Sequence, residues 1–160
     1  MAVSGSRTGS TVTTHRARGF TLLEVMIVCV IVAILAAIAL PNYSDYVKRS
    51  KIIDATSKLS DARVHLEQWF QDHHTYAGAC VDPPTGVIRV TAGPDDSFAL
   101  SCPVAPTATV YTVQADGIAS KGMAEFKYTI DQGNVKRTTA THWGVTSNNC
   151  WVTRKDGSCG

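Results

Sequence analysis

GFTLLEVMIVCVIVAILAAIALP, residues 19–41, is the stretch on which the reading of this chain turns. From Phe20 to Leu40 it is almost wholly apolar and long enough to cross a bilayer as a helix. Its one charge is Glu24, and a carboxylate at the centre of a membrane helix costs roughly 3 kcal/mol, which makes the residue a functional hypothesis by default. Residues 1–18 are polar, rich in Ser, Thr and Arg, and end in His15-Arg16-Ala17-Arg18 against the apolar run. That basic end keeps its side of the membrane cytoplasmic by the positive-inside rule.

A secretory signal peptide, with Ala37-Ile38-Ala39 as its cleavage site, gains nothing from an acid in its apolar core. A plain anchor carries the same cost without compensation. A helix whose free amine must meet a neighbour's carboxylate accounts for Glu24 directly. The segment Arg18-Gly19-Phe20-Thr21-Leu22-Leu23-Glu24 and the apolar run to Pro41 resemble the type IV pilin signature. The resemblance implies cleavage between Gly19 and Phe20 and N-methylation of Phe20 by a membrane prepilin peptidase. Methylation keeps the positive charge of the amine. It also implies an assembly role for Glu24 and Pro41, with Glu24 paired to the Phe20 amine of an adjacent subunit. One departure is Ala33, which stands where many pilins have a helix-loosening glycine; Pro41 still weakens the helix beyond it.

Excluding the leader changes the charge balance. The chain of 160 residues carries a formal +2, but Arg7, Arg16 and Arg18 all precede the apolar run, leaving 12 basic and 13 acidic side chains. Near neutrality gives no electrostatic support for nucleic-acid binding. Of five cysteines, Cys29 lies in the apolar run, and Cys80, Cys102, Cys150 and Cys159 lie in the polar portion. An even number in an exported domain reads as two disulfides, with three connectivities. Zinc is the rival, but no CxxC occurs and spacings of 22, 48 and 9 fit no ligand knuckle.

Beyond Pro41, Tyr43 and Tyr46 suit a membrane interface, and Lys48, Arg49 and Lys51 read as a solvated or headgroup-facing turn. Ile52, Ala55, Leu59, Ala62, Leu66, Trp69 and Phe70 recur at helical spacing and form one apolar stripe. One helix from Phe20 to about Asp72 is expected, roughly 80 Å long at 1.5 Å per residue. Gly78 closes the helical region, and residues 78–96, with three prolines, read as a loop bracketed by Cys80 and Cys102, which are paired on that ground. Period-two patterning then predicts strands at Ser97–Cys102, Val110–Ala115, Phe126–Asp131 and Val135–Thr139, a meander with one apolar face. The fold class is α+β: a helical spine on an antiparallel sheet of three to four strands. Resemblance to pilins implies the same architecture. Cys150 to Cys159 looks like a disulfide-closed hairpin turning at Lys155-Asp156-Gly157, and this tail resembles that of PilE-type minor pilins. The expected organisation is a leader at 1–19, a membrane and assembly helix at 20–47, and a globular head at 48–160.

No nucleophile motif, P-loop, dinucleotide fingerprint or HExxH appears, so neither catalysis nor a cofactor is expected. His65, His73 and His74 lack metal-ligand spacing and read as polar residues at a helix end, so no metal site is expected. Lys136, Arg137, Arg154 and Lys155 are candidates for meeting phosphates, with Trp143 or Trp151 as stacking platforms; ordinary surface charge is the simpler reading. The resemblance implies a minor pilin held in the bacterial inner membrane and then built into a surface pilus. The implied partners are other major and minor pilins, the prepilin peptidase and the inner-membrane assembly machinery; the implied roles are pilus assembly, twitching motility, adhesion or DNA uptake. A DNA receptor for competence and a type II secretion pseudopilin are the alternatives.

Overall fold

The computed structural model describes residues 19–160, without the side chains at 40–42 and 140. Residues 1–18 of the expected leader 1–19, and the Pro41 side chain, lie outside the described residues. The chain divides into two compact units, Met1–Leu40 and Pro41–Gly160. A helix, α1, is assigned from Leu22 to His73. Four strands follow: β1 (Phe98–Ser101), β2 (Thr112–Gly117), β3 (Lys127–Asp131) and β4 (Lys136–Ala140).

In the first unit, Thr21 starts α1: its Oγ1 accepts the Glu24 backbone N–H at 3.2 Å. A threonine in that position satisfies one of the helix's orphan N–H donors. The apolar side chains that follow have no internal cover. Phe20 is 82% exposed and Leu35 62%, and the most apolar stretch of this helix is 0% buried with a mean hydropathy of 3.0. By length and composition it suffices to cross a membrane.

In the second unit the apolar pattern narrows to a stripe. Ile52, Ala55, Leu59, Ala62 and Leu66 are buried, with Trp69 and Phe70 partly so. The opposing layer is an antiparallel meander in the order β1-β2-β3-β4. Val113 pairs with Ile130 and Ala115 with Tyr128, which sets one apolar face over these strands. Tyr111, Val113, Ala115, Tyr128 and Ile130 are all buried in the same core as the helix stripe. Thr129 is buried on the other face, flanked across the strands by Gln114 and Arg137. At the end of β2, Gly117 admits no side chain, since a Cβ there would lie 1.7 Å from the Met123 carbonyl oxygen.

Two segments differ from the expectation, whereas the helix end does not. The helix stops at His73, next to the expected Asp72, because His74 takes a left-handed φ of 54° and donates its N–H to the Phe70 carbonyl. Such a residue ends a helix by satisfying a terminal carbonyl. The loop at 78–96 is not merely a connector, since Ala79 and Ile88 are fully buried in the core. The segment after β4 is also part of the packed structure. Its Trp151 Nε1 donates to the Thr129 carbonyl at 2.9 Å and the Tyr128 hydroxyl donates to the Val152 carbonyl at 2.9 Å. Thr138 Oγ1 donates to the Cys150 carbonyl and accepts the Val152 N–H.

Candidate functional site

The expected processing and assembly residues lie at the start of α1. Gly19 and Phe20 precede the helix as exposed residues, and Phe20 and Glu24 line one small hollow with Val25 and Val28. The helix uses the Glu24 backbone N–H in its cap, but among the described residues no group pairs with the Glu24 carboxylate. A carboxylate in the first turn is also favoured by the helix dipole. The acid is thus held at a helix N-terminus with its carboxylate available to a partner outside the described chain.

Two disulfides close loops of the second unit, Cys80–Cys102 and Cys150–Cys159, while Cys29 is free and exposed. The Cys150–Cys159 loop is a short hairpin. Thr153 N–H donates to the Ser158 carbonyl and Gly157 N–H to the Arg154 carbonyl, with Gly157 at a φ of 84°. The loop puts Arg154 and Lys155 on an exposed turn.

The four basic candidates do not form one stripe. Lys136 and Arg137 are consecutive in β4, so their side chains leave opposite faces. Lys136 Nζ lies 4.6 Å from the centre of the Trp151 ring, and Arg137 Nη1 donates to Asp131 Oδ2 at 2.9 Å. Arg154 and Lys155 instead line a pocket of about 190 Å³ with Asp45, Tyr46, Arg49, Trp143 and Thr153. Arg49 and Thr153 are the residues that the sequence did not bring to this group; roughly a hundred positions separate them, and neither stands in a motif. Trp143 packs edge-on against Phe126 with ring centres 5.1 Å apart.

A second polar cluster ties the helix to the sheet. Glu67 accepts hydrogen bonds from the hydroxyls of Tyr76 and Tyr111, each at 3.1 Å. Burial, then the Glu67 charge, pushes the Tyr111 hydroxyl far above its ordinary titration range. Elsewhere Lys58 bridges Asp54 and Asp96, at 2.9 and 2.6 Å. Asp96 is held below the usual carboxylate value by the Lys58 hydrogen bond first and the Gly93 N–H second. The His73 ring stacks on Trp69 and makes a 3.1 Å hydrogen bond to the Trp69 carbonyl. Among the described residues no group of His, Cys, Asp and Glu could hold a metal ion.

Comparison with known proteins finds two family models. One, for the prokaryotic N-terminal methylation motif, matches residues 14–40. The other, described as type IV minor pilin ComP, DNA uptake sequence receptor, matches residues 41–127. The type IV major fimbrial protein FimA of Dichelobacter nodosus is 41% identical over 75 residues, 44% of each chain. The type IV major pilin protein PilE1 of Neisseria gonorrhoeae is 31% identical over 101 residues, covering 63% of this chain and 46% of that one. The chain thus matches less than half the length of these curated relatives. A crystal structure of the non-core minor pilin PilV of Neisseria meningitidis aligns with a TM-score of 0.49 at 13% identity, covering 61% of this chain and 92% of that chain.

Proposed function

This chain belongs to the family of type IV minor pilins described as ComP, DNA uptake sequence receptor, and from that premise we propose that it is a subunit of a type IV pilus assembled through its N-terminal helix. The leader 1–19 is removed between Gly19 and Phe20 by a prepilin peptidase, which also methylates the Phe20 amine. Residues 20–47 hold the subunit in the bacterial inner membrane and then pack against other major and minor pilins when the inner-membrane machinery builds the filament. Residues 48–160 form the head that the filament displays in pilus biogenesis, twitching motility, adhesion or DNA uptake. The observation that carries this reading is the apolar run from Phe20, exposed to Ala39 except at half-buried Ala36 and bearing one carboxylate without a partner among the described residues. A carboxylate in an apolar filament core is tolerable only when paired, because low dielectric raises both its desolvation cost and its attraction to an amine. The pairing amine is the methylated Phe20 of an adjacent subunit, and Pro41 limits the stiffness of the helix beyond.

Glu24→Ala is expected to leave the subunit folded and in the membrane but to lower its amount in sheared filaments at least tenfold, read by immunoblot. Wild-type amounts in those filaments would reject the pairing. Gly19→Ala is expected to leave only the uncleaved, slower-migrating form; a mature-size band from that variant would reject the cleavage position.

A second reading, a receptor for DNA, is favoured by the description of the matching family and by the exposed Arg154 and Lys155 near Trp143. All four basic candidates lie beyond residue 127, where that match ends. Duplex binding by the full processed chain should weaken steeply with salt, and replacing Arg154 and Lys155 by Gln should lower the salt slope by about two. An unchanged slope would remove these two residues from the contact.

A further inference from the structure

Of six buried side-chain polar atoms without hydrogen-bond partners among the described residues, three belong to residues of one pocket. They are Arg49 Nε, Trp143 Nε1 and Thr153 Oγ1. Thr153 is only 3% exposed, so its hydroxyl is withdrawn from water and yet has no hydrogen-bond partner among the described residues. Buried polar groups are nearly always paired, and each exception needs an explanation, because an unpaired one keeps its full desolvation penalty. Three on one pocket point to a missing partner rather than to three separate defects.

The chemistry of the lining says what that partner is. Arg49 and Trp143 offer N–H donors, and the Thr153 hydroxyl can donate as well. Arg154 and Lys155 stand at the same pocket, and none of the three cations is in an ion pair among the described residues. Asp45 is the single carboxylate on the lining, against three positive charges. A donor-rich, cationic hollow of about 190 Å³ suits a compact oxyanion, and arginine favours phosphate through its planar fork of donors.

We propose that this pocket binds the phosphate of a phospholipid headgroup while the subunit is stored in the membrane. The proposal rests on the membrane-stored stage of the proposed function. The order of residues in the chain selects the lipid over other phosphates. Arg49 follows the last residue of the apolar run, Leu40, by nine positions, and Tyr43, Tyr46, Lys48 and Lys51 surround it in sequence. Tyrosines and cations just past a membrane span are the residues that settle at headgroup level. Tyr46 is itself on the pocket lining, with its ring exposed. The headgroup supplies the acceptor oxygens that the orphan donors lack. Release of that contact is then one of the events that accompany extraction into a filament.

The test uses the full processed chain in maltoside micelles, which contain no phosphate, and follows the indole N–H signals of ¹⁵N-labelled tryptophans. Trp143→Phe identifies the Trp143 signal. Adding dihexanoylphosphatidylglycerol should shift that signal saturably and leave Trp69 and Trp151 in place. Arg49→Gln and Thr153→Val should each weaken the apparent affinity at least tenfold, with the unchanged Trp69 and Trp151 signals certifying the fold. Inorganic phosphate should move the same signal at least tenfold less effectively, since it lacks the acyl anchor. No saturable shift, a shift indifferent to both substitutions, an equal response to inorganic phosphate, or a response to duplex DNA alone would each overturn the headgroup assignment. Fractionation of the same wild-type chain from cells separates the two levels. Absence from the membrane fraction rejects the stored stage itself, whereas membrane residence with a silent Trp143 rejects only the pocket's ligand.

Discussion

Val28, Ile31 and Leu35 are each more than half exposed, whereas Ile52, Leu59 and Leu66, assigned to the same helix, are fully buried. The side chains are alike; their arrangement is not. Up to Leu40 apolar residues occupy every side of the helix, and a helix of that kind is at rest only in lipid or among other helices. From Ile52 onward they occupy one stripe, and the sheet and the loops of the same chain cover it. The charges divide in the same way. Lys58 pairs with Asp54 and Asp96, and Glu67 takes two tyrosine hydroxyls, all within the head. The Glu24 carboxylate finds nothing among the described residues. One unit completes itself; the other leaves its apolar side chains exposed and its acid without a partner among the described residues.

The largest expected effect separates the two units by stability. Leu59→Ala, in a fully buried site, should destabilise the head by about 2–5 kcal/mol through lost burial and the cavity left behind. Val28→Ala should leave head unfolding unchanged while altering assembly. Near-ultraviolet circular dichroism during thermal unfolding of the full chain in detergent reads both. A comparable loss from Val28→Ala would break the distinction.

This division is also why so much of the architecture was legible beforehand. Ile52 to Leu66 and the four strands carry their periods on their face, and Glu24 stands out because an acid within an apolar run has no local excuse. What was not legible comes from single side chains in irregular segments. Ile88 in a proline-rich loop and Trp151 in a patternless tail enter the core without any neighbouring residue announcing it. The pocket that joins Arg49 to Trp143, Thr153, Arg154 and Lys155 is a product of tertiary closure, and no spacing rule spans about a hundred residues. The helix ends beside the expected Asp72, but the residue that ends it was not legible, since His74 rather than a glycine supplies the left-handed turn.

A smaller effect is expected where the head's polar groups are completed internally. Tyr111→Phe removes the hydroxyl that Glu67 accepts and should cost about 1.5–3 kcal/mol at neutral pH, the range for a bond to a charged group. Burial first, with the Glu67 charge second, raises the titration of Tyr111, and burial alone raises that of Tyr128, both above the ordinary 10.0. A raised folded value means stability is fully present below pH 10 and is lost as pH rises above it. The wild-type head should therefore unfold in alkali, and Tyr111→Phe should make that alkaline loss shallower although the variant starts less stable. Equal steepness in urea titrations above pH 10 would remove Tyr111 from the set of groups that must ionise.

The smallest effect concerns Asp96, with its side chain 23% exposed and Lys58 34% exposed. Its titration lies below the ordinary 3.8, by the Lys58 hydrogen bond and then the Gly93 N–H. Lys58 is shifted upward in turn, because its hydrogen bonds to Asp96 and Asp54 together outweigh the burial that opposes its charge. A depressed acid contributes stability that is present above its unfolded value and lost as pH falls through the folded one. The head should thus lose this contribution only below about pH 4. Asp96→Asn should cost no more than about 1 kcal/mol at neutral pH, since such partly exposed pairs are weak, but it should flatten the acid limb. The informative companion is Glu24→Gln in the same urea titration. Among the described residues no group of the head pairs with the Glu24 carboxylate, so that variant should leave the acid limb of the head as it is. An acid limb moved by Glu24→Gln and untouched by Asp96→Asn would place the self-completing charges in the wrong unit.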